Sequence, residues 1–296
     1  MAENSAFNCP LCGSEIHKVF QDLKSFGLTV RYYLCQNCGL IFQNPAESQA
    51  GDPEFYAQAY RQVYQHSEQP TAKDLRQQRL RAEHASHFLK ENGISRLGRT
   101  LDIGASSGLF LETLQESLGA KVYGVELGQA YREVAESKGI TMFESLEALE
   151  ASQLEKFELI SLMHVLEHLN NPVEKLVEIR EQLLDSAGYL LVEVPNLYAH
   201  DSFEIAHLTC FSPHTLKECL AKAGYEIVRF HAHGLPRSRT LKLFLTVLAK
   251  PMHELPSGLQ VKPEHFVHVK RDMGMLWRKI LSKILPKISW LPLEDA

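Results

Sequence analysis

From about residue 99 onward, short apolar runs alternate with segments of helical period. Thr100-Leu101-Asp102-Ile103 reads as a buried strand, Gly104-Ala105-Ser106-Ser107-Gly108 as a tight turn, and residues 109–114 as the opening of a helix. Further strands are predicted at 121–126, 140–143, 157–163 and 188–196, with a final antiparallel one at 240–247. This rhythm predicts βαβ units and a mostly parallel sheet. Upstream, a long helix is predicted from about residue 72 to 91, ended by Asn92-Gly93. Nearer the start, residues 30–34 and 39–42 alternate well enough for strands.

Beyond residue 250 the pattern changes. Met273, Leu276, Trp277, Ile280, Leu281, Ile284 and Ile288 recur at helical spacing, with Pro286 marking the end of a helix. Between 262 and 290, seven Lys/Arg stand against two acids, a local balance of +5 on the opposite face. Such a helix packs on its own domain or on a second subunit, as in a homodimer. Peripheral contact with an anionic membrane is the alternative.

Composition narrows the picture modestly. A chain of 296 residues suffices for one α/β domain with one or two appendages. The formal net charge of -5 argues against a nucleic-acid partner. No run of about 18 apolar residues is present, so no spanning helix is expected. MAENSAFNCP has neither a basic region nor an apolar core, so a cytoplasmic, reducing location is expected.

In that setting the six cysteines are read as ligands or core residues. Four form two pairs, Cys9-x2-Cys12 and Cys35-x2-Cys38, separated by 22 residues and each followed by Gly. Two intervening residues let both thiolates of a pair reach one tetrahedral ion from a single turn. A redox pair would follow a strand and open a helix, whereas these lie in Pro/Gly turns. The expectation is a zinc ribbon with structural Zn²⁺, since four thiolates leave no open coordination position. Cys210 and Cys219 lie far away and are expected in the core.

The turn after the first strand carries the cofactor argument. Glycines let the backbone approach a ligand closely, and the following helix N-terminus favours negative groups. The next strand ends in Glu126, 22 residues after Gly104, where a carboxylate can accept hydrogen bonds from a ribose diol. A dehydrogenase would carry Gly-x-Gly-x-x-Gly here, yet Ser106 occupies the middle position. Leu-Asp-Ile-Gly-Ala-Ser-Ser-Gly resembles the first motif of class I S-adenosylmethionine methyltransferases, and 157–163 and 188–196 resemble that family's fourth and fifth strands. The resemblance runs from about 99 to 250. It implies that Asp102 supports the methionine end of S-adenosylmethionine and Glu126 the ribose, with Gly104, Ser106, Gly108, Ser145 and His164 around the cofactor. Relatives also carry an aromatic segment after the ribbon, where Tyr60 and Tyr64 either fold over the cofactor or pack the ribbon. Glu144-Ser145-Leu146 stands where relatives place an Asp near the adenine.

The chemistry is expected in two polar clusters at the carboxyl edge of the sheet. Met163-His164-Val165-Leu166-Glu167-His168-Leu169 follows the fourth strand; as a helix it would set 164, 167 and 168 on one face. The second, 204–214, follows the fifth strand and includes His207. Three readings are open. His207 or His164 is a general base. This resembles zinc-domain-bearing deoxysugar C-methyltransferases, which commonly place Glu beside that His, where Ala206 stands here. Alternatively His164, Glu167, His168 and His207 hold a second divalent metal. That resembles small-RNA 3′-terminal and some quinone-pathway O-methyltransferases, in which Glu fills the position of His164. In the third, Glu167 and His168 merely cap and orient the helix.

The expected architecture is α/β: a Rossmann-like seven-stranded methyltransferase sheet with a small N-terminal zinc ribbon and a C-terminal helical extension. The segments are a ribbon (1–45), an aromatic linker and helix (46–98), the cofactor domain (99–250) and a basic amphipathic extension (251–296). The expected acceptor is a small molecule, a sugar or another biosynthetic intermediate. The rivals are an RNA methyltransferase touching RNA through the ribbon, and a non-catalytic binding protein.

Overall fold

The structure, a computed structural model, describes residues 7–25, 28–44, 69–254 and 258–292. The aromatic segment with Tyr60 and Tyr64 lies outside the described residues. Three N-terminal strands, β1 (His17–Ser25), β2 (Leu28–Cys35) and β3 (Ile41–Gln43), form an antiparallel sheet. Then come β4 (Arg99–Ile103), β5 (Lys121–Val125), β6 (Thr141–Phe143), β7 (Phe157–Met163), β8 (Leu184–Pro195), β9 (Thr209–Cys210), β10 (Tyr225–His233) and β11 (Phe244–Pro251). Seven of these make the main sheet, in the order β10-β11-β8-β7-β4-β5-β6. Within it β8, β7, β4, β5 and β6 pair in parallel, and β11 runs antiparallel to both neighbours.

The sheet is buried on both faces, which is why its strands read as near-continuous apolar runs. Leu159, Leu191 and Leu248 pack on one face with Phe88, Leu89, Leu111 and Leu114. Their chain neighbours Ile160, Leu190, Val192 and Val247 pack on the other with Leu216 and Leu220. The helix α1 (Ala72–Glu91) begins where expected, with a Thr71/Asp74 capping box, and stops at Asn92. It packs against α2 (Leu109–Leu118).

β1 has no counterpart in the sequence expectation: its polar residues alternate too weakly to reveal a strand that pairs with β2 across a bulge. The final strand starts at Phe244 instead of 240. Asn196 donates through its backbone N–H to Leu243 O (2.8 Å) and through Nδ2 to Lys242 O (2.8 Å). Ser238 Oγ accepts from the N–H groups of Thr240 and Leu241. These bonds hold 240–243 as a loop.

The four N-terminal cysteines converge, with Cys9 Sγ 3.6 Å from Cys38 Sγ and Cys12 Sγ 3.5 Å from Cys35 Sγ. Their module is not a detached appendage. Leu11, Leu40 and Phe42 share one core with Phe211, Leu216 and Cys219. Lys222, at the end of the helix Pro213–Lys222, donates to Leu11 O (2.6 Å). β9, from the segment after the fifth parallel strand, pairs with β3 and becomes the fourth strand of the N-terminal sheet. Cys210 and Cys219 are buried, as expected.

The remaining helices are α3 (Gln129–Glu136), α4 (Leu146–Ala151), α5 (Pro172–Glu178), α6 (Pro213–Lys222), α7 (Val267–Ile284) and the short α8 (Pro286–Ser289). α7 stops one residue before Leu285-Pro286, as expected, but its packing differs from the expected apolar seam. Met273, Leu276, Trp277 and Ile284 are exposed, while Arg271 is buried and donates to Leu197 O and His200 O. Arg278 pairs with Asp201 at 2.8 Å. Gly274 allows the approach, because a Cβ there would collide with Tyr198 O. Backbone carbonyls beneath the helix recruit its arginines, and the apolar side faces out. Among the described residues no helix is long and apolar enough to cross a membrane.

Candidate active site

A cavity of about 830 Å³ opens at the carboxyl edge of the sheet. One wall is α1, through Gln77, Gln78 and Arg81; a second is the turn after β4; a third is the segment after β7. The linker helix is thus part of the site. Ser107 Oγ donates to Gln78 Oε1 (2.5 Å), tying α1 to the turn.

At one end stand Asp102, Gly104, Ser106, Glu126, Leu127 and Ser145. Gly104 has φ +76°, and a Cβ there would lie 2.5 Å from Val165 Cγ2, so both conformation and space demand glycine. Ser106 also takes a left-handed conformation, and its N–H donates to Glu126 Oε2 (3.0 Å). Gly128 N–H donates to Glu126 Oε1 (2.8 Å). Two backbone amides therefore fix the Glu126 carboxylate at the strand end. Asp102 is buried, and burial pushes its carboxyl up to about 7. A hydrogen bond from Ser161 Oγ (2.7 Å) opposes that shift, and the neighbouring Glu126 carboxylate adds to it. Ser145 caps α4 by accepting from Ala148 N–H. Gly108 is not among the lining residues: it has φ +73°, and a Cβ there would meet Ile140 and Ala135.

The donor set suits S-adenosylmethionine. A tight glycine turn, a buried carboxyl with no cationic partner among the described residues and an amide-braced carboxylate fit an ammonium, a sulfonium and a ribose diol.

At the other end, the expected helix is replaced by a sharper path. His164 has φ +59°, and only Leu166–His168 form one turn of 3-10 helix. The turn sends His164 and Glu167 toward each other. His164 Nε2 lies 3.1 Å from Glu193 Oε1, and Nδ1 lies 3.4 Å from Glu167 Oε1. Burial and Arg81 oppose charge on this ring, but the two carboxylates prevail and its affinity for a proton is raised. The response is mutual. Burial alone would raise the Glu167 carboxyl, yet His164 leads the interactions that hold it down at about 2. Glu193, fully buried, lies well below the usual carboxylate range because His164, His233 and Arg81 outweigh its desolvation.

His168 and His207 behave differently. Burial lowers both, His168 to about 4, so both are neutral bases at physiological pH. His168 Nδ1 donates to Ala206 O (2.8 Å), and His207 Nδ1 donates to Ser202 O (2.8 Å). A carbonyl can only accept, so each neutral ring carries its lone pair on Nε2. The rings stand 4.9 Å apart, centroid to centroid. Glu204 Oε2 lies 3.6 Å from His207 Nε2, supplying a nearby carboxylate where Ala206 supplies none. One ligating atom each from Glu167, His168 and His207 lies within 4.8 Å of the others. His164 is not in that cluster.

The N-terminal sheet fixes the segment bearing His207. Tyr32 O–H donates to Glu204 O (2.5 Å), and Gln43 Nε2 lies within hydrogen-bonding reach of Ile205 O (2.9 Å) and His207 O (2.8 Å). Gln43 N–H donates to Leu208 O (2.8 Å). Tyr32 and Gln43 are thus buried against the turn that presents the histidine.

The structure brings Asp102, Gly104, Ser106, Glu126, Ser145, His164, Glu167, His168 and His207 to one cavity and leaves Gly108 behind it. Sequence reasoning gave Glu204 no role within the predicted 204–214 cluster and missed the lining residues Arg81, His200, Arg237 and Phe244, and Glu193 against His164. Glu193, a charged residue inside an otherwise apolar strand, was the one available signal. The others enter through packing between segments remote in the chain.

Strand order, glycine turn and paired carboxylates define the class: a class I S-adenosylmethionine-dependent methyltransferase. A family model described as a methyltransferase domain matches residues 64–229, more than half of the chain, and the chain belongs to that family. No curated protein matches the sequence. Among solved structures, a SAM-dependent methyltransferase from Leishmania major is similar at 17% identity and a TM-score of 0.50, over 70% of this chain and 85% of that one. A SAM-dependent methyltransferase from Archaeoglobus fulgidus is 18% identical, with a TM-score of 0.48 over 61% of this chain and 100% of that one. At these identities the first likeness bears on the fold alone, and the second adds no support.

Proposed function

We propose that the protein transfers the methyl group of S-adenosylmethionine to a small-molecule acceptor, a sugar or another biosynthetic intermediate, with His207 taking the acceptor's proton. One observation carries this reading. His207 is locked through Nδ1 to Ser202 O, which leaves the Nε2 lone pair at the wall of the cavity that also holds Asp102 and Glu126. S-adenosylmethionine supplies an already activated methyl group, so the chain's work is to align the acceptor and remove a proton. Asp102 faces the cationic methionine end, Glu126 the ribose, and the Glu204 carboxylate supports the imidazolium formed on His207. His164 has a carboxylate beside each ring nitrogen, Glu193 at 3.1 Å and Glu167 at 3.4 Å, so it orients those two acids and is not the base.

A second reading is favoured by the Glu167, His168 and His207 cluster. Both rings donate Nδ1–H to backbone carbonyls, the outer-shell arrangement that aims Nε2 at a metal. Glu167 is buried, with His164 Nδ1 3.4 Å from its Oε1, and one of its carboxylate oxygens lies within 4.8 Å of a nitrogen of each of the other two rings. These three would hold a divalent ion, whose chemistry there is to acidify an acceptor hydroxyl. H168A separates the readings: it abolishes transfer with a metal and leaves most of it with a lone His207 base.

The cysteine cluster is read as structural Zn²⁺ in a ribbon spanning 1–45. Zn–S bonds of about 2.3 Å in a tetrahedron place sulfurs roughly 3.8 Å apart, close to the spacings seen. The chain then divides into linker (46–98), cofactor domain (99–250) and extension (251–296).

Incubation with methyl-labelled S-adenosylmethionine and an extract fractionated into small molecules, protein and RNA tests the function. Label in the small-molecule fraction, lost with H207A, supports it. Label confined to RNA favours the ribbon-guided alternative, and absence of S-adenosylhomocysteine binding by calorimetry would leave a non-catalytic scaffold.

A further inference from the structure

Three more imidazoles converge outside the cavity. His84 lies on α1, and His231 and His233 lie two residues apart on β10, hence on one face of that edge strand. Ring centroids are 4.3 Å apart for His84 and His233, 5.0 Å for His231 and His233, and 6.1 Å for His84 and His231. One ligating nitrogen from each lies within 4.8 Å of the others. None of the three lines the cavity described above.

The hydrogen bonds around His233 decide which of its nitrogens is available. Thr246 Oγ1 donates to Glu193 Oε2 (2.8 Å), which commits the hydroxyl proton. The same oxygen can then only accept from His233 Nε2, 2.7 Å away. His233 therefore carries its proton on Nε2 and its lone pair on Nδ1. That Nδ1 is buried and has no hydrogen-bond partner among the described residues, in a residue only 6% exposed. A buried polar atom left unmet in this way calls for a ligand. Simple packing of α1 on the sheet edge explains ring stacking, but not a lone pair held by a Thr–Glu relay toward two other imidazoles.

We propose that His84, His231 and His233 bind a divalent transition-metal ion of the zinc class, at a site separate from the cysteine cluster and from the methyl-transfer cavity. Three imidazoles without a carboxylate suit borderline ions such as Zn²⁺, Cu²⁺ or Ni²⁺ and not Mg²⁺ or Ca²⁺, which take oxygen ligands. Three protein ligands leave a fourth position for water. His231 is exposed and gives the ion a way in from solvent. Thr246 and Glu193 form the outer shell that orients His233. Glu193 also holds His164 through its other oxygen, so one buried carboxylate braces both the new site and the cavity wall.

The test is calorimetric titration of Zn²⁺ into full-length protein whose cysteine cluster is already loaded. Wild-type protein should take up an equivalent that H84A/H231A loses, with affinity at least about 100-fold weaker, and that H168A/H207A retains. H231A alone, at an exposed position, should weaken it at least about tenfold with an unchanged circular dichroism spectrum. T246V should weaken it about 10–100-fold, the usual consequence of removing an outer-shell partner. Identical isotherms for wild type and H84A/H231A, or no uptake beyond the cysteine cluster, would overturn the proposal.

Discussion

The two ends of the cavity hold buried carboxylates that titrate in opposite directions. Asp102 is pushed up to about 7 by burial, because it gains only a hydroxyl partner and faces a second acid. Glu167 is equally buried yet held at about 2, because His164 lies against it and His168 and His207 stand nearby. The Asp102 end thus stores uncompensated acidity that a cationic ligand would relieve, whereas the histidine end is neutralised from within. The first is a binding surface awaiting charge, and the second is a preorganised network that can move a proton.

Separate damage to each end should break this comparison or sharpen it. The largest effect is expected from H207A, which should lower methyl transfer about 10²–10⁴-fold, the usual value of a positioned proton acceptor. S-adenosylhomocysteine affinity should stay within about twofold; a parallel fall would mean the ends are not separable. Next, Y32F/Q43A should lower transfer roughly tenfold or more by loosening the turn that carries His207, again with affinity intact. E126A should do the reverse. Losing charge-assisted hydrogen bonds worth about 1.5–3 kcal/mol would weaken S-adenosylhomocysteine about 10–100-fold by calorimetry.

The smallest effect is on stability. The raised Asp102 contributes stability that is full below its ordinary value of 3.8 and lost as pH rises through about 7. Glu167 contributes stability that is present above 4.5 and lost as pH falls toward about 2. In ligand-free protein, D102N should therefore flatten the decline in melting temperature between pH 4 and 7, by a few degrees at roughly 2–4 °C per kcal/mol. An unchanged slope would remove Asp102 as its source.

The residues that meet at the Asp102 end of the cavity were legible in order along the chain. Asp102, Gly104, Ser106 and Glu126 lie in one βαβ unit, and a unit of that size folds back on itself within the reach of its own turn. The cysteine pairs were legible for the same reason, since each knuckle closes over two residues. A positive-φ glycine reads the same in sequence whether it makes room for a ligand or for packing, and a Cβ at Gly108 would meet Ile140 and Ala135. The apolar spacing of α7 announced a helix but not its orientation, which buried arginines and backbone carbonyls decided.

Local spacing alone settles the parallel strands of the main sheet, their succession and the glycine turn after β4, because these depend on backbone geometry within a few residues of each other. Tertiary structure alone brings Glu167, His168 and His207 to the same wall and sets β9 beside β3, so that Tyr32 and Gln43 grip a turn far along the chain. Protonation follows from that convergence as well: Glu167 stands three residues from His164 in the chain, but Glu193 reaches the same ring only through packing.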